Sequence, residues 1–313
     1  MEFKEWKQIL RDKTELHMYE WKPKNLTSVK GVVQLVHGSC EHALRYQEFA
    51  EYLVEHHYIV IASDHRGHGK TALAKEDLGF FAEEDGWDKL IEDLNEVTTY
   101  IKKHYPELPI VMFGHSMGSF MVRHYAMLYG DNLAALVVCG TAHHKKGLLK
   151  FSAHLAEKHQ AKYGPKAKDH FIYNLSYAPL NKKFQKEGKT GTEWLSSDLK
   201  VQDKFQRDPL AGQIFSTSAF KDMFNGLIFI TDTKNIAKTP KKLPLLFIAG
   251  GDDPVGNFGK GVKKTFKLYK KHHHNDEMKL YPGARHEILN EKIKSEVMAD
   301  ILKFYDKHLP VKK

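Results

Sequence analysis

The pentapeptide Gly114-His115-Ser116-Met117-Gly118 constrains this chain more than any other stretch. A short apolar run, Ile110-Val111-Met112-Phe113, leads into it with the length and β-branched content of a buried strand. Helix-compatible residues, 119–129, lead out. Gly-x-Ser-x-Gly between strand and helix is the pattern of a sharp, strained turn that presents a serine. The neighbouring chain passes very close at such a turn, so the residues two before and two after the serine must be small. Gly114 and Gly118 meet that requirement. As letters alone the pentapeptide is also an ordinary glycine turn; the strand–turn–helix setting makes Ser116 a nucleophile candidate.

The rest of the chain repeats that setting. Residues 58–62, 133–139 and 243–249 are apolar throughout, and 31–36 is apolar apart from Gln34, as buried strands are. Helical spacing of apolar residues marks 45–56, 87–104, 260–271 and 294–308; Trp87, Leu90, Ile91, Leu94, Val97 and Ile101 form one stripe. Residues 277–281 add a strand, and the alternating, aromatic 15–21 suits an N-terminal hairpin. Strands of this kind separated by helices predict an α/β fold with a mainly parallel sheet covered on both faces. Residues 141–240 break the rhythm, with many lysines and scattered aromatics such as Phe151, Tyr173, Trp194 and Phe224. We expect one core domain from 1–140 and 241–313, with 141–240 inserted into it.

A serine hydroxyl is a poor nucleophile at neutral pH, so Ser116 needs a base within reach and a group that orients the base. In open α/β sheets such groups lie on loops beyond the carboxyl ends of strands. The loop after 243–249 carries Gly250-Gly251-Asp252-Asp253, and the loop after 277–281 carries Arg285-His286-Glu287. His286 is the candidate base. Asp252 and Asp253 are both candidates for the acid, since adjacent side chains point in different directions. The oxyanion needs two backbone donors. Met117, opening a helix whose dipole helps, supplies one; the other comes from the loop His37-Gly38-Ser39-Cys40, with the Ser39 N–H as candidate. The same loop also reads as a plain turn, and Cys40 as a packed small residue or a reactive thiol.

Composition excludes other classes. At 42% hydrophobic residues with mixed charge the chain is globular, and no run of about 18 apolar residues is present to cross a membrane. The charged start, Met1-Glu2-Phe3-Lys4, does not read as a secretory leader. Cys40 and Cys139 are too few for a disulfide framework, so a reducing, cytoplasmic setting is expected. The chain carries a net charge of +9; in 141–240, 16 Lys and one Arg stand against nine Asp or Glu, a net +8 in that third. A solvated surface accounts for such an excess, as does attraction to an anionic substrate or membrane surface. No nucleic-acid reading module accompanies it. His272-His273-His274 reads as a polar helix end; with no His-Glu-x-x-His or paired-cysteine spacing, neither a metal nor a cofactor is expected.

Five segments resemble the monoacylglycerol lipase and lysophospholipase branch of the α/β-hydrolase superfamily. His37-Gly38-Ser39-Cys40-Glu41-His42 is similar to its oxyanion loop, Asp64-His65-Arg66-Gly67-His68-Gly69 to its Asp-x-x-Gly-His-Gly turn, and Gly114–Gly118 to its nucleophile elbow. Gly250-Gly251-Asp252-Asp253 matches its Gly-x-x-Asp segment, which places the acid at Asp253, and Arg285-His286-Glu287 falls where the branch has its histidine. Ser119, where Gly is common, and Thr71, where Ser is common, are conservative departures. The likeness fails across 141–240, which corresponds to the helical cap that shapes the acyl pocket. The resemblance implies a serine hydrolase that cleaves a lipid-like ester, a monoglyceride or lysophospholipid, through an acyl-enzyme. An aminopeptidase of the same fold is the alternative, because fold does not fix substrate. A catalytically weak ligand-binding protein is the rival from another class.

Overall fold

A computed structural model describes residues 1–188, 190–272 and 275–309. Its centre is an eight-stranded sheet. The strands are β1 (Glu2–Ile9), β2 (Glu15–Lys22), β3 (Gly31–Val36), β4 (Tyr58–Ser63), β5 (Ile110–His115), β6 (Ala135–Cys139), β7 (Leu245–Gly250) and β8 (Asp276–Tyr281), in the spatial order β1-β2-β4-β3-β5-β6-β7-β8. β1 and β2 form an antiparallel hairpin and β2 pairs antiparallel with β4; every pairing from β4 to β8 is parallel. The order doubles back at β3, so β3 and β5 lie side by side, with Leu35 opposite Phe113 and Val36 opposite Gly114. Their carboxyl ends deliver the His37 loop and the Ser116 turn to one place.

Both faces of the sheet are covered, which explains why the central strands are almost wholly apolar, with the buried Gln34 bonded to Leu94 O. Along β4, Ile59 and Ile61 point into one core layer while Tyr58, Val60 and Ala62 point into the other. The first layer is closed by α2 (Gly86–His104), α3 (Met117–Tyr129) and α9 (Lys260–Lys270), the second by α1 (Gln47–Glu55) and α10 (Lys294–His308). The stripe expected on 87–104 is the buried face of α2. Two boundaries differ instructively from the sequence reading. The helix after the serine begins at Met117, directly at the turn, and the one expected from residue 45 begins at Gln47 after a tight turn over Ala43–Tyr46. That turn aims Arg45 back toward the strand ends.

Residues between β6 and β7 fold as helices: α4 (Lys146–Tyr163), α5 (His170–Tyr177), α6 (Leu199–Arg207), α7 (Thr217–Thr231) and the short α8 (Thr233–Ile236). β6 and β7 pair directly, Leu136 opposite Leu245, so this helical segment leaves and returns to adjacent strands. It is anchored by α7, where a Cβ on Gly226 would come within 2.4 Å of three atoms of the Trp87 indole of α2. A side chain there would push the helices apart. No described helix is long and apolar enough to cross a membrane.

Candidate active site

Ser116 sits between β5 and α3 with φ 53° and ψ −119°, a backbone strain that non-glycine residues adopt rarely. The turn is held by its amide, which donates to Cys139 O at 3.0 Å. The need for small neighbours is visible atom by atom. A Cβ on Gly118 would lie 2.3 Å from Val36 O and 2.5 Å from His37 O, and one on Gly114 would lie 2.5 Å from Gly118 O. A Cβ on Gly38 would lie 3.0 Å from the Ser116 Cβ, so the loop carrying Ser39 runs against the serine. Ser39, Ser116 and Met117 line one cavity.

His286 Nδ1 lies 3.0 Å from Asp253 Oδ2, and both side chains are buried. The carboxylate accepts, so Nδ1 donates and Nε2 is the basic nitrogen. The other oxygen of Asp253 accepts from Val255 N at 2.8 Å, which fixes the carboxylate. Asp252 is exposed to solvent and pairs with Lys183 of the helical segment at 2.8 Å. Of the two adjacent acids, one faces the histidine and the other the surface. His286 and Ser116 line the same cavity, and Trp194 packs over His286 with ring centroids 5.1 Å apart.

Behind these residues lies a buried network that the sequence reading did not assign. Arg45 Nη1 donates to Glu41 at 2.7 Å, and its two terminal nitrogens fork onto Glu287 at 2.8 Å each. Glu41 also accepts from Gly38 N at 2.6 Å and so holds the Ser39 loop; Glu287 follows His286 in sequence. Tyr46 Oη lies 2.7 Å from Glu41 Oε1 and 2.8 Å from His115 Nδ1. Its single proton goes to the carboxylate, so Nδ1 donates to the hydroxyl oxygen. His115 Nε2 donates to His286 O at 3.2 Å. With both ring nitrogens placed to donate, the site favours the protonated, cationic form of His115. Burial opposes that charge, but Glu41 outweighs it and holds the imidazole above its ordinary value. Burial likewise raises Glu41, and His115 and Arg45 together pull it well below the usual carboxylate range. Two carboxylates and two cations therefore balance. The spacing of Glu41 and Arg45, four residues apart, was the sequence signal for the first link.

The Gly-His-Gly turn braces the same loop from the other side. Asp64 accepts from Ala43 N (2.8 Å), Lys70 N (2.7 Å) and Tyr19 Oη (2.8 Å). His37 accepts from His65 N at 3.0 Å through Nε2, and the two rings stack with centroids 3.8 Å apart. Burial keeps this cluster neutral: His37 is held well below its ordinary value, His65 is pushed down to about 3 and His68 to about 4. Cys40 is buried at φ 59°, and burial pushes its thiol up to about 12, the opposite of a reactive thiolate. Among the described residues no cluster of three His, Cys, Asp or Glu is arranged to hold a metal; His273 and His274 lie outside those residues.

Two cavities meet at the serine. One, of about 800 Å³, is walled by polar groups such as Asn181, Thr192, Gln206 and the Glu287–Arg45 pair together with Tyr173, Leu195 and Phe205, and is the more polar of the two. The other, of about 670 Å³, is walled by Phe120, Leu149, Leu155, Ile172, Phe224 and Leu227 among others. Both include Ser39, Ser116, Tyr177 and Trp194. Tyr177 Oη donates to Ser39 Oγ at 3.0 Å, tying α5 to the loop beside the serine.

A mostly parallel sheet with a strained serine elbow after β5 and a buried acid–histidine pair on the loops after β7 and β8 defines an α/β-hydrolase. The profile of the family described as "Serine aminopeptidase, S33" matches residues 27–293, and the chain belongs to that family, on its monoacylglycerol lipase-like branch. It is 25% identical to a monoglyceride lipase homolog of Monkeypox virus, covering 93% of this chain and 94% of the relative. It is 26% identical to a monoacylglycerol lipase of Mycolicibacterium smegmatis, covering 92% of each. A crystal structure of a thermostable carboxyl esterase from Bacillus coagulans in complex with glycerol superposes with a TM-score of 0.90 at 29% identity, over 98% of this chain and 99% of that one. Together these relatives support an ester-hydrolysing α/β-hydrolase.

Proposed function

We propose that the protein is a serine carboxylic-ester hydrolase that acts on lipid-like monoacyl esters through an acyl-enzyme. Ser116 Oγ attacks the ester carbonyl while His286 Nε2 takes its proton; the Ser39 and Met117 amides bind the oxyanion. His286 then protonates the departing alcohol and, in the second half, activates water against the Ser116 ester. Asp253 keeps His286 in the tautomer that leaves Nε2 basic and stabilises the imidazolium. The observation that carries this reading is the buried Asp253–His286 pair opening, with Ser116, onto one cavity. Residues 141–240 act as the cap, and the apolar cavity beneath it takes the acyl chain. An aminopeptidase calls for a carboxylate to receive the substrate's free amine; Glu41 and Glu287, the acids among the described lining residues, are both engaged by Arg45.

The cap also favours contact with an anionic membrane surface. Leu148, Phe151 and Leu175, each more than half exposed, line the rim of the apolar cavity, and α4 carries exposed Lys146, Lys150 and Lys158 beside them.

Fluorophosphonate labelling tests the reaction. Native protein takes one label and Ser116→Ala takes none; a folded native protein without label refutes the assignment and leaves a ligand-binding protein. A series of p-nitrophenyl esters tests the acyl chamber: octanoyl is preferred to acetyl, and the reverse order would leave a short-chain esterase. Turnover on anionic vesicles falls with added salt; salt-independent turnover refutes the membrane contact.

A further inference from the structure

The acyl chamber accounts for one side of the scissile ester. The polar chamber, on the other side of Ser116, is much larger than glycerol requires. Given no more than a water's share of volume per heavy atom, glycerol fills at most roughly 200 Å³ and a hexose at most roughly 400 Å³. The chamber offers about 800 Å³. Its wall is chemically distinctive. Amide and hydroxyl side chains line it from two segments of the cap: Asn181 is buried and held by Glu193 and Trp194 N, while Gln185, Thr190 and Gln206 stand at its solvent-exposed mouth, where Gln185 and the Gln206 Oε1 are open to a ligand. Trp194, packed at a tilt over His286, presents an indole at the point where alcohol and acyl group part. A hexose matches such a wall, with hydroxyls for the amides and C–H faces for the aromatic ring.

Charge narrows the choice further. Phosphate sites rely on a free guanidinium fork or an ammonium. Arg45 is the one Arg or Lys among the described lining residues, and its fork is already engaged by Glu41 and Glu287. His115, the other cation, is buried against Tyr46, Glu41 and the His286 backbone. Among the described residues the chamber thus shows no excess positive charge, and a phosphate there would shed water without gaining a free cationic partner. The described lysines of the cap do not line the chamber.

Resting on the ester-hydrolase reading above, we propose that the polar chamber beside Ser116 takes uncharged polyhydroxylated alcohols larger than glycerol, so that monoacyl hexose esters are substrates and monoacyl esters of phosphate-bearing alcohols are discriminated against. The test compares three octanoyl esters, each below its micellar concentration so that surface binding does not contribute: 1-monooctanoylglycerol, 6-O-octanoylglucose and 1-octanoyl-lysophosphatidylglycerol. The expected kcat/KM for the glucose ester is within about fivefold of the monoglyceride or above it, and that for the lysophospholipid is at least about tenfold lower. Gln206→Trp, which puts a bulky ring at the mouth of the chamber, lowers the glucose-to-glycerol ratio of kcat/KM by about fivefold or more. A glucose ester slower than that window, a lysophospholipid inside the tenfold limit, or an unchanged ratio in Gln206→Trp overturns the proposal. Failure of the underlying reading looks different: p-nitrophenyl octanoate would not be cleaved and Ser116 would take no fluorophosphonate. Failure of the chamber assignment leaves both of those intact.

Discussion

Replacing Arg45 with Met tests whether the buried network is what holds the two active-site loops. Its side chain is 6% exposed, and those of Glu41 and Glu287 are 4% and 3% exposed. Methionine fills similar volume but leaves two buried carboxylates with only His115 to balance one of them. Removing one member of a buried ion pair costs about 3–5 kcal/mol, mostly because the remaining charge is uncompensated. At about 2.1 cal/mol/K of unfolding entropy per residue, a chain of 313 residues loses about 5–8 °C of Tm for that cost. Glu41 holds the Gly38 amide and Glu287 adjoins His286, so kcat on p-nitrophenyl octanoate falls by about tenfold or more as both loops slacken. Arg45→Met/Glu287→Gln removes the unpaired charge and recovers at least about half of the lost stability, whereas Arg45→Lys, with no fork, lies between wild type and Arg45→Met. Urea unfolding and calorimetry on the four proteins read this directly. A loss below about 1 kcal/mol for Arg45→Met, or a double variant no more stable than the single, would refute the network's role.

Asp253→Asn, which presents the wrong hydrogen-bonding partner to His286, lowers kcat by about four orders of magnitude, while Asp252→Asn stays within about threefold of wild type; equal effects would refute the assignment of the acid. Gly118→Ala places a methyl against the carbonyls of Val36 and His37 and costs about 3 kcal/mol or more, measured by chemical unfolding; a Tm within error of wild type would mean the elbow can relax. His68 stays neutral until about pH 4, whereas it protonates near 6.5 when unfolded. Its contribution to stability is thus present above pH 6.5 and is lost as pH falls toward 4, at about 1.4 kcal/mol per pH unit. His68→Phe removes that slope between pH 6 and 5, and an unchanged pH dependence of unfolding would show that the ring is charged in the native state.

The sheet was readable because its strands carry their own evidence. A five-residue run such as Tyr58–Ala62 is apolar throughout only when both faces are buried, and the helices between such runs force a parallel arrangement. The same locality made Ser116 and His286 legible, since each lies just beyond the end of a strand that announces itself. Asp252 and Asp253 show where that reasoning stops. Both occupy the right loop, and only the path of the chain after β7, with Asp253 turned inward and Asp252 facing Lys183, separates them.

Arg45, Tyr46 and Trp194 were out of reach for a related reason: their roles depend on partners 242, 69 and 92 positions away, brought together only by the sheet order and the return of the helical segment. Residues 141–240 lack strand signals, so nothing local indicates that α4, α5 and α7 wall an apolar chamber while the stretch around 181–206 walls a polar one. In the proposed reading, the reaction is written in short motifs at strand ends, and the choice of substrate in long-range packing. The Tyr177–Ser39 hydrogen bond joins the two. In the proposed reading it fastens the segment that walls the substrate chambers to the loop that receives the oxyanion, so displacing α5 moves the proposed Ser39 donor as well as a pocket wall. In the ester-hydrolase reading, Tyr177→Phe therefore lowers kcat for every ester alike, while changes to the chamber walls, Gln206→Trp among them, alter only the ranking of substrates.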